Sequence, residues 1–179
     1  MHAAAFQGRA EVVKLLLAYG IDANDVSASD GFTPFHRTLW TNSERHVETM
    51  RVFLEDGKVE VDFVSHVGKT GALIATELKH TKVLDILLRE YGADPNFRNK
   101  RGDALVHVAI RAQDEKTLDM LLNNGADITL EDAKGKSCRK IAKQLRSKAV
   151  LERINRAFEE LNTPNPNDND RKENRGEEL

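Results

Sequence analysis

The sequence predicts an all-α fold, a solenoid of stacked helix-turn-helix units joined by hairpin-like loops. Three observations predict it. First, four apolar segments recur in phase: Val12 to Leu17, Thr49 to Leu54, Val83 to Leu88 and Thr117 to Leu122, each with apolar residues around one charged position. Second, a glycine follows each segment, at Gly20, Gly57, Gly92 and Gly125. Third, another glycine opens each following unit, and Gly31, Gly68, Gly102 and Gly135 lie 37, 34 and 33 residues apart. Repetition at such a period is the mark of a stacked array, in which one unit cannot bury its apolar side alone and its neighbours complete the core.

The units follow in order. The glycine after each apolar segment fits a helix that ends in a left-handed residue. The phrases Ile21-Asp22-Ala23-Asn24, Val59-Glu60-Val61-Asp62, Ala93-Asp94-Pro95-Asn96 and Ala126-Asp127-Ile128-Thr129 come next, and a turn and a short helix follow each opening glycine. In the second unit this helix begins Thr33-Pro34-Phe35-His36. Proline is tolerated in a first helical turn because its missing N–H would have had no partner there. Thr33 can cap the helix and His36 can bond a neighbouring loop.

These residues resemble the ankyrin-repeat family, whose period is about 33 residues and whose signature contains T-P-L-H-x-A. The resemblance covers roughly residues 1 to 160. His2-Ala3-Ala4 opens the first unit and Val106-His107-Val108-Ala109 keeps the histidine in the fourth. The third unit, Thr70 to Ala75, loses proline and histidine, and the fifth, Ser137 to Ala142, departs furthest. The expected organisation is an ankyrin-repeat solenoid over 1–161, with units at about 1–27, 28–64, 65–98, 99–131 and 132–161, then a disordered polar tail over 162–179.

The two ends differ. A last helix is expected from near Ser147 to about Leu161. Val150, Leu151, Ile154, Phe158 and Leu161 share one side, and Arg153 and Asn155 lend a polar outer face of the kind a terminal cap needs. At the other end, Met1-His2 falls in the middle of the expected turn, so the first unit reads as truncated and uncapped. Missing repeats, a covering partner or copy, and a frayed first repeat are the three expectations there.

Composition narrows the function. Hydrophobic residues make up 40%, charged residues 31%, and net charge is −2, so nothing global draws the chain to nucleic acid or an acidic membrane. No apolar run reaches the length of a membrane span. Cys138 is the single cysteine, which excludes an internal disulfide. With a start that lacks the pattern of a secretory signal, the chain reads as intracellular, cytoplasmic or nuclear.

Chemical motifs add no reaction. Gly68-Lys69-Thr70 resembles the end of a phosphate-binding loop, but Phe63 stands where that loop needs glycine. His2, His36 and His107 fit the repeat turns, while His46, His66 and His80 are scattered without carboxylate or cysteine partners at ligand spacing. Cys138 replaces the turn proline and has no base beside it in sequence. No cofactor, metal or catalytic residue is expected. Asn24 and Asn96 should tie down the connecting loops through local bonds, and the family resemblance implies that such an asparagine is sometimes hydroxylated.

The resemblance also implies that partners meet a concave surface of hairpin tips and first helices. By position the tips include Phe32, Lys69, Lys100, Arg101, Asp103, Lys134 and Lys136, and the first helices present Phe6, Trp40, Glu77 and Arg111. Phe6, Phe32 and Trp40 make an aromatic end; Lys69, Arg98, Lys100, Arg101, Arg111, Lys134 and Lys136 make a basic stripe. Aromatics and arginines are the usual anchors of protein interfaces. The expected partner is another protein, with an apolar anchor near Trp40 and an acidic stretch near Arg101 and Arg111. The opposing expectations are that Phe32 or Trp40 packs on a neighbouring loop, Trp40 onto the insertion Asn42 to Val47, and that the tip charges are only solvated. Two other functions compete: a fragment of a longer protein whose effector or catalytic domain is elsewhere, and nucleic-acid binding through the basic stripe.

Overall fold

The structure is a computed structural model that describes residues 1–162. The expected polar tail, apart from Asn162, lies outside the described residues. Ten helices are present among them, in five consecutive pairs: α1 (His2–Phe6) and α2 (Ala10–Ala18); α3 (Pro34–Thr38) and α4 (Glu44–Glu55); α5 (Gly71–Glu77) and α6 (Thr81–Arg89); α7 (Leu105–Arg111) and α8 (Glu115–Asn123); α9 (Cys138–Leu145) and α10 (Lys148–Asn162). First helices pack on first helices and second on second, as α1 on α3, α2 on α4, α5 on α7 and α6 on α8. The fold is the expected all-α solenoid. Among the described residues its strand-like pairing is limited to the antiparallel bridges Arg98–Ala104 and Glu131–Ser137.

Local chemistry sets the pairs. Thr33, Thr70 and Ser137 cap α3, α5 and α9, each side-chain oxygen accepting a backbone N–H three residues on. The glycines after the second helices take φ of 77°, 74°, 68° and 84°, the left-handed values that end a helix cheaply only for glycine. Gly71 has a different task. A Cβ there would lie 3.1 Å from Leu39 and from the Phe35 ring, so its missing side chain lets α5 sit against the bulky second unit. Phe35, Leu39, Met50, Phe53, Leu84, Leu87, Leu105, Ile110, Leu118 and Leu121 are fully buried in the continuous core between units.

The insertion in the second unit becomes helix. α4 has 12 residues where α2, α6 and α8 have nine. Trp40 therefore does not fold onto a loop at 42–47; it turns towards Phe6 and Phe32.

The last helix pair corrects two expectations. Arg153 does not face outward. It is 13% exposed and pairs with Asp119 of α8, its aliphatic stem covering apolar surface while its head reaches a carboxylate. Leu161 is exposed rather than packed, because α10, at 15 residues, is much longer than the eight and nine of its neighbours α9 and α8. Val150 and Ile154 are fully buried as expected.

Candidate functional site

The tips are closed loops of one design. A backbone N–H crosses each of them: Ser27 to Phe32 at 3.0 Å, Ser65 to Lys69 at 2.9 Å, Asn99 to Asp103 at 3.0 Å and Asp132 to Lys136 at 3.0 Å. In the fourth and fifth units the first residue adds a nest inside the loop. Asn99 Oδ1 accepts the N–H groups of Arg101 and Asp103, and Asp132 Oδ1 accepts those of Lys134 and Lys136. Burial works against the Asp132 carboxylate, but the N–H bonds from Lys136 and Lys134 and the charge of Arg111 outweigh it and hold its pKa below the usual value.

In the first, second and fourth units a turn histidine reaches forward to the loop of the next unit. His2 Nε2 meets the Phe32 carbonyl at 3.0 Å, His36 Nε2 the Phe63 carbonyl at 3.2 Å and His107 Nε2 the Leu130 carbonyl at 3.0 Å. Nδ1 of His36 and of His107 accepts a backbone N–H from the residue three before it, so Nε2 carries the proton and donates. Burial pushes His36 down to about 4 and also lowers His107. His46 and His80 are not scattered, as the sequence reading had them. Each stands three residues before an in-phase apolar segment and reaches a carbonyl of the preceding unit or helix, His46 to Phe6 at 2.9 Å and His80 to Leu39 at 3.0 Å. That shared offset is legible in the sequence.

Asn24 and Asn96 are ties between units. Asn24 Nδ2 donates to the Lys58 carbonyl at 2.8 Å, Asn96 Nδ2 to that of Gly125 at 3.2 Å, and Asn96 Oδ1 accepts the Asp127 N–H at 2.7 Å. Any hydroxylation would fall on side chains already engaged in holding the stack.

Phe6, Glu77 and Arg111 lie in α1, α5 and α7, and Trp40 stands two residues beyond the end of α3. At the aromatic end Phe6 is 53% exposed and meets Trp40 edge-on at 6.0 Å; Trp40 meets Phe32 edge-on at 5.4 Å. The Arg37 guanidinium lies 4.4 Å from the Trp40 ring centre and pairs with Asp30 at 2.7 Å. Phe32 itself is buried, against the expectation that it contacts a partner. It supports Trp40 from below because the tip folds its ring onto His36.

The basic stripe is mostly occupied by the protein's own groups. Lys69 pairs with Glu77. Arg98 donates to the carbonyls of Gly102 and Glu131, and Lys100 to that of His66. Arg111 is clamped by Asp103 at 3.0 Å and Asp132 at 2.5 Å. Lys136 donates to Gln144 at 2.9 Å. Arg101 and Lys134 are exposed, and their side chains have no protein partner among the described residues.

Two clefts separate the tips here. The larger, about 500 Å³, lies between the fourth and fifth tips and is backed by Ile141, Gln144 and Leu145 of α9. The smaller, about 230 Å³, lies between the third and fourth tips against Leu73 and Glu77 of α5. Arg101 borders both.

At the first unit's outer end the exposed apolar residues are Val12, Leu15, Tyr19 and Ile21. Leu15 is 57% exposed, whereas Val52 and Ile86 at the same register position are buried against the preceding unit.

Among the described residues no group of three or more histidine, cysteine or acidic side chains could hold a metal ion, and no helix is long and apolar enough to cross a membrane. Burial pushes the Cys138 thiol up to about 12, far from a reactive thiolate at neutral pH. Thr70 of the phosphate-loop look-alike serves as a helix cap.

Comparison with known proteins agrees with this architecture. Residues 42–132 match a family model described as Ankyrin repeats (3 copies), and residues 1–54 match one described as Ankyrin repeats (many copies). SH3 and multiple ankyrin repeat domains protein 1 of Mus musculus is 32% identical over 129 residues, 72% of this chain and 6% of that protein. Inactive serine/threonine-protein kinase TEX14 of Bos taurus is 40% identical over 79 residues, 44% of this chain and 5% of that protein. Palmitoyltransferase AKR1 of Lachancea kluyveri is 28% identical over 151 residues, 84% of this chain and 20% of that protein. The chain thus spans a small share of the length of each of these relatives.

Proposed function

We propose, from the premise that this chain belongs to the ankyrin-repeat family, that it is a non-catalytic module which holds another protein along its hairpin tips and first helices. One observation carries this reading. The tips are pinned by repeated backbone and histidine ties, and the surface they present has an exposed ring at one end and unpartnered cations at the other. A rigid surface loses little conformational freedom when a partner docks, and exposed aromatics and arginines are the side chains that most often anchor one.

Phe6 and Trp40 form the apolar anchor, with Arg37 laid over the indole. Glu77, Lys69, Asp103 and Arg111 pair among themselves, so they contribute shape and hydrogen-bonding groups rather than free charge. The nucleic-acid reading is weakened by the same pairing, since a polyphosphate backbone is held by cations free to displace its counterions. A longer protein with its catalytic or effector domain elsewhere fits the modest share of each relative that is matched, and one of those relatives is named a palmitoyltransferase.

A second reading is favoured by the outer end of the first unit. Leu15 and its neighbours offer an apolar surface in the same register that neighbouring units use to stack. A further helix pair or a second copy seated there would continue the array.

Affinity capture with three variants separates the two. Phe6→Ser and Arg101→Glu alter the front, and Leu15→Glu alters the outer end. The front reading expects the proteins captured by the parent chain to be lost with Phe6→Ser or Arg101→Glu and kept with Leu15→Glu. Loss with Leu15→Glu alone moves the interface to the end of the stack. Retention by all three ends both readings.

A further inference from the structure

Within the front-face reading, on which this rests, we infer that the cleft between the fourth and fifth tips takes an acidic peptide segment, and that Arg101 and Lys134 are the side chains that read it. The charges around this cleft are not equal in availability. Four cations and two carboxylates border it, and both carboxylates, Asp103 and Asp132, are spent on the same cation, Arg111. Arg111 is therefore a wall of the site rather than a reader: its guanidinium is fixed between the two tips and its charge is answered. Arg101 and Lys134 stand on those tips with no carboxylate of their own. The backbone N–H groups of both bond to the nests of Asn99 and Asp132, so the tips hold the two side chains in place without using their charge.

The floor selects the kind of anion. Ile141 and half-buried Leu145 line the back of the cleft, so the ligand that fills it carries an apolar side chain between its acidic ones. Inorganic phosphate or a bare polyanion would leave that apolar floor uncovered. The neighbouring cleft shares Arg101, so a ligand reaching from one to the other runs along the tips as a linear segment. Lys69, Lys100 and Arg111, which a nucleic-acid strand would need on the same path, are already engaged within the protein.

The test uses the whole chain, immobilised, and a random library of short displayed peptides. Selected peptides should be rich in Asp and Glu around one apolar residue. A fluorescein-labelled copy of the best of them, followed by anisotropy, should lose about tenfold or more in affinity with Arg101→Glu and again with Lys134→Glu. Binding should weaken as salt is added. Neither Arg101 nor Lys134 holds the fold through its side chain, and far-ultraviolet circular dichroism of both variants checks that they fold. Selected peptides without acidic enrichment overturn the inference, as does affinity unmoved by both reversals. Equal binding of an oligothymidine strand at the same salt also overturns it, in favour of a phosphate reader. If selected peptides depend on Phe6 but not on Arg101 or Lys134, the acidic site falls while the front-face reading stands. Dependence on none of the three ends both.

Discussion

Trp40 and Arg111 occupy the same position in their units, four residues beyond the turn histidines His36 and His107, yet they hold the front of the molecule by opposite means. Around Trp40 the contacts are rings: Phe6 and Phe32 edge-on, Arg37 stacked above. Around Arg111 they are charges, Asp103 in the same unit and Asp132 in the next. The backbone beneath is alike, with a closed tip, a first helix and a histidine reaching forward. The difference shows that the repeat fixes where a side chain stands and leaves open what kind of contact joins adjacent units. Ring contacts remove apolar area from water and do not depend on salt. An ion pair whose arginine is 38% exposed is screened.

The sharpest way to break this comparison is to truncate both residues. Trp40→Ala should lower stability by about 3 kcal/mol, the low end for an aromatic because the indole is only half-buried. Arg111→Ala should cost about 1–2 kcal/mol, mainly by leaving the buried Asp132 oxygen without its cation. Thermal or urea melts measure both. Added salt should narrow the gap between parent and Arg111→Ala and leave that of Trp40→Ala unchanged. A larger loss for Arg111→Ala would mean that the charged half, not the aromatic half, holds the stack.

Acid should separate the halves next. His36 sits among Phe32, Phe35 and Phe63, and burial there pushes its imidazole down to about 4. His107 is lowered too, but Asp103 and Asp132 pull the other way. A histidine with a depressed pKa is neutral when folded and takes up a proton when unfolded. Its contribution is therefore intact above about 6.5, the ordinary histidine value, and is lost as pH falls from there to about 4. For His36 the loss should be on the order of 2–3 kcal/mol, read from urea melts across that window. His36→Asn should flatten most of that slope, and His107→Asn less of it. Equal flattening by the two would deny the rings their part in the shift.

Most of the stack was legible in the sequence, and the reasons are physical. The in-phase apolar segments and the paired glycines are demanded by backbone geometry that recurs from unit to unit, so they repeat, and the turn histidine recurs in three of the five units. What did not repeat was hidden. Whether Phe32 faces solvent or supports Trp40 depends on how its own tip folds over His36. Which cation of the stripe is free depends on carboxylates and carbonyls in adjacent units, such as Asp132 for Arg111 and Glu131 for Arg98. Arg153 looked like a polar outer face because a helical pattern gives only the direction of its Cβ, whereas the long stem turns back to Asp119.

The smallest effect concerns Phe6, and it decides whether the aromatic half is built for stability or for contact. Phe6 leaves more than half of its surface in water, so Phe6→Ser should cost no more than about 1 kcal/mol, close to the value of a single edge-on ring pair. Trp40 is the protein's one tryptophan, so its fluorescence reports on this cluster of Phe6, Phe32 and Arg37 around the indole. Losing Phe6 uncovers one edge of the indole, and the native emission should shift to longer wavelength while the urea midpoint barely moves. Arg111→Ala, acting on the charged half, should leave the emission where it is. A stability loss approaching that of Trp40→Ala would make Phe6 a structural ring despite its exposure. A small loss with a clear spectral shift leaves an exposed aromatic that the fold scarcely needs, at the spot where a partner's apolar side chain would find both rings.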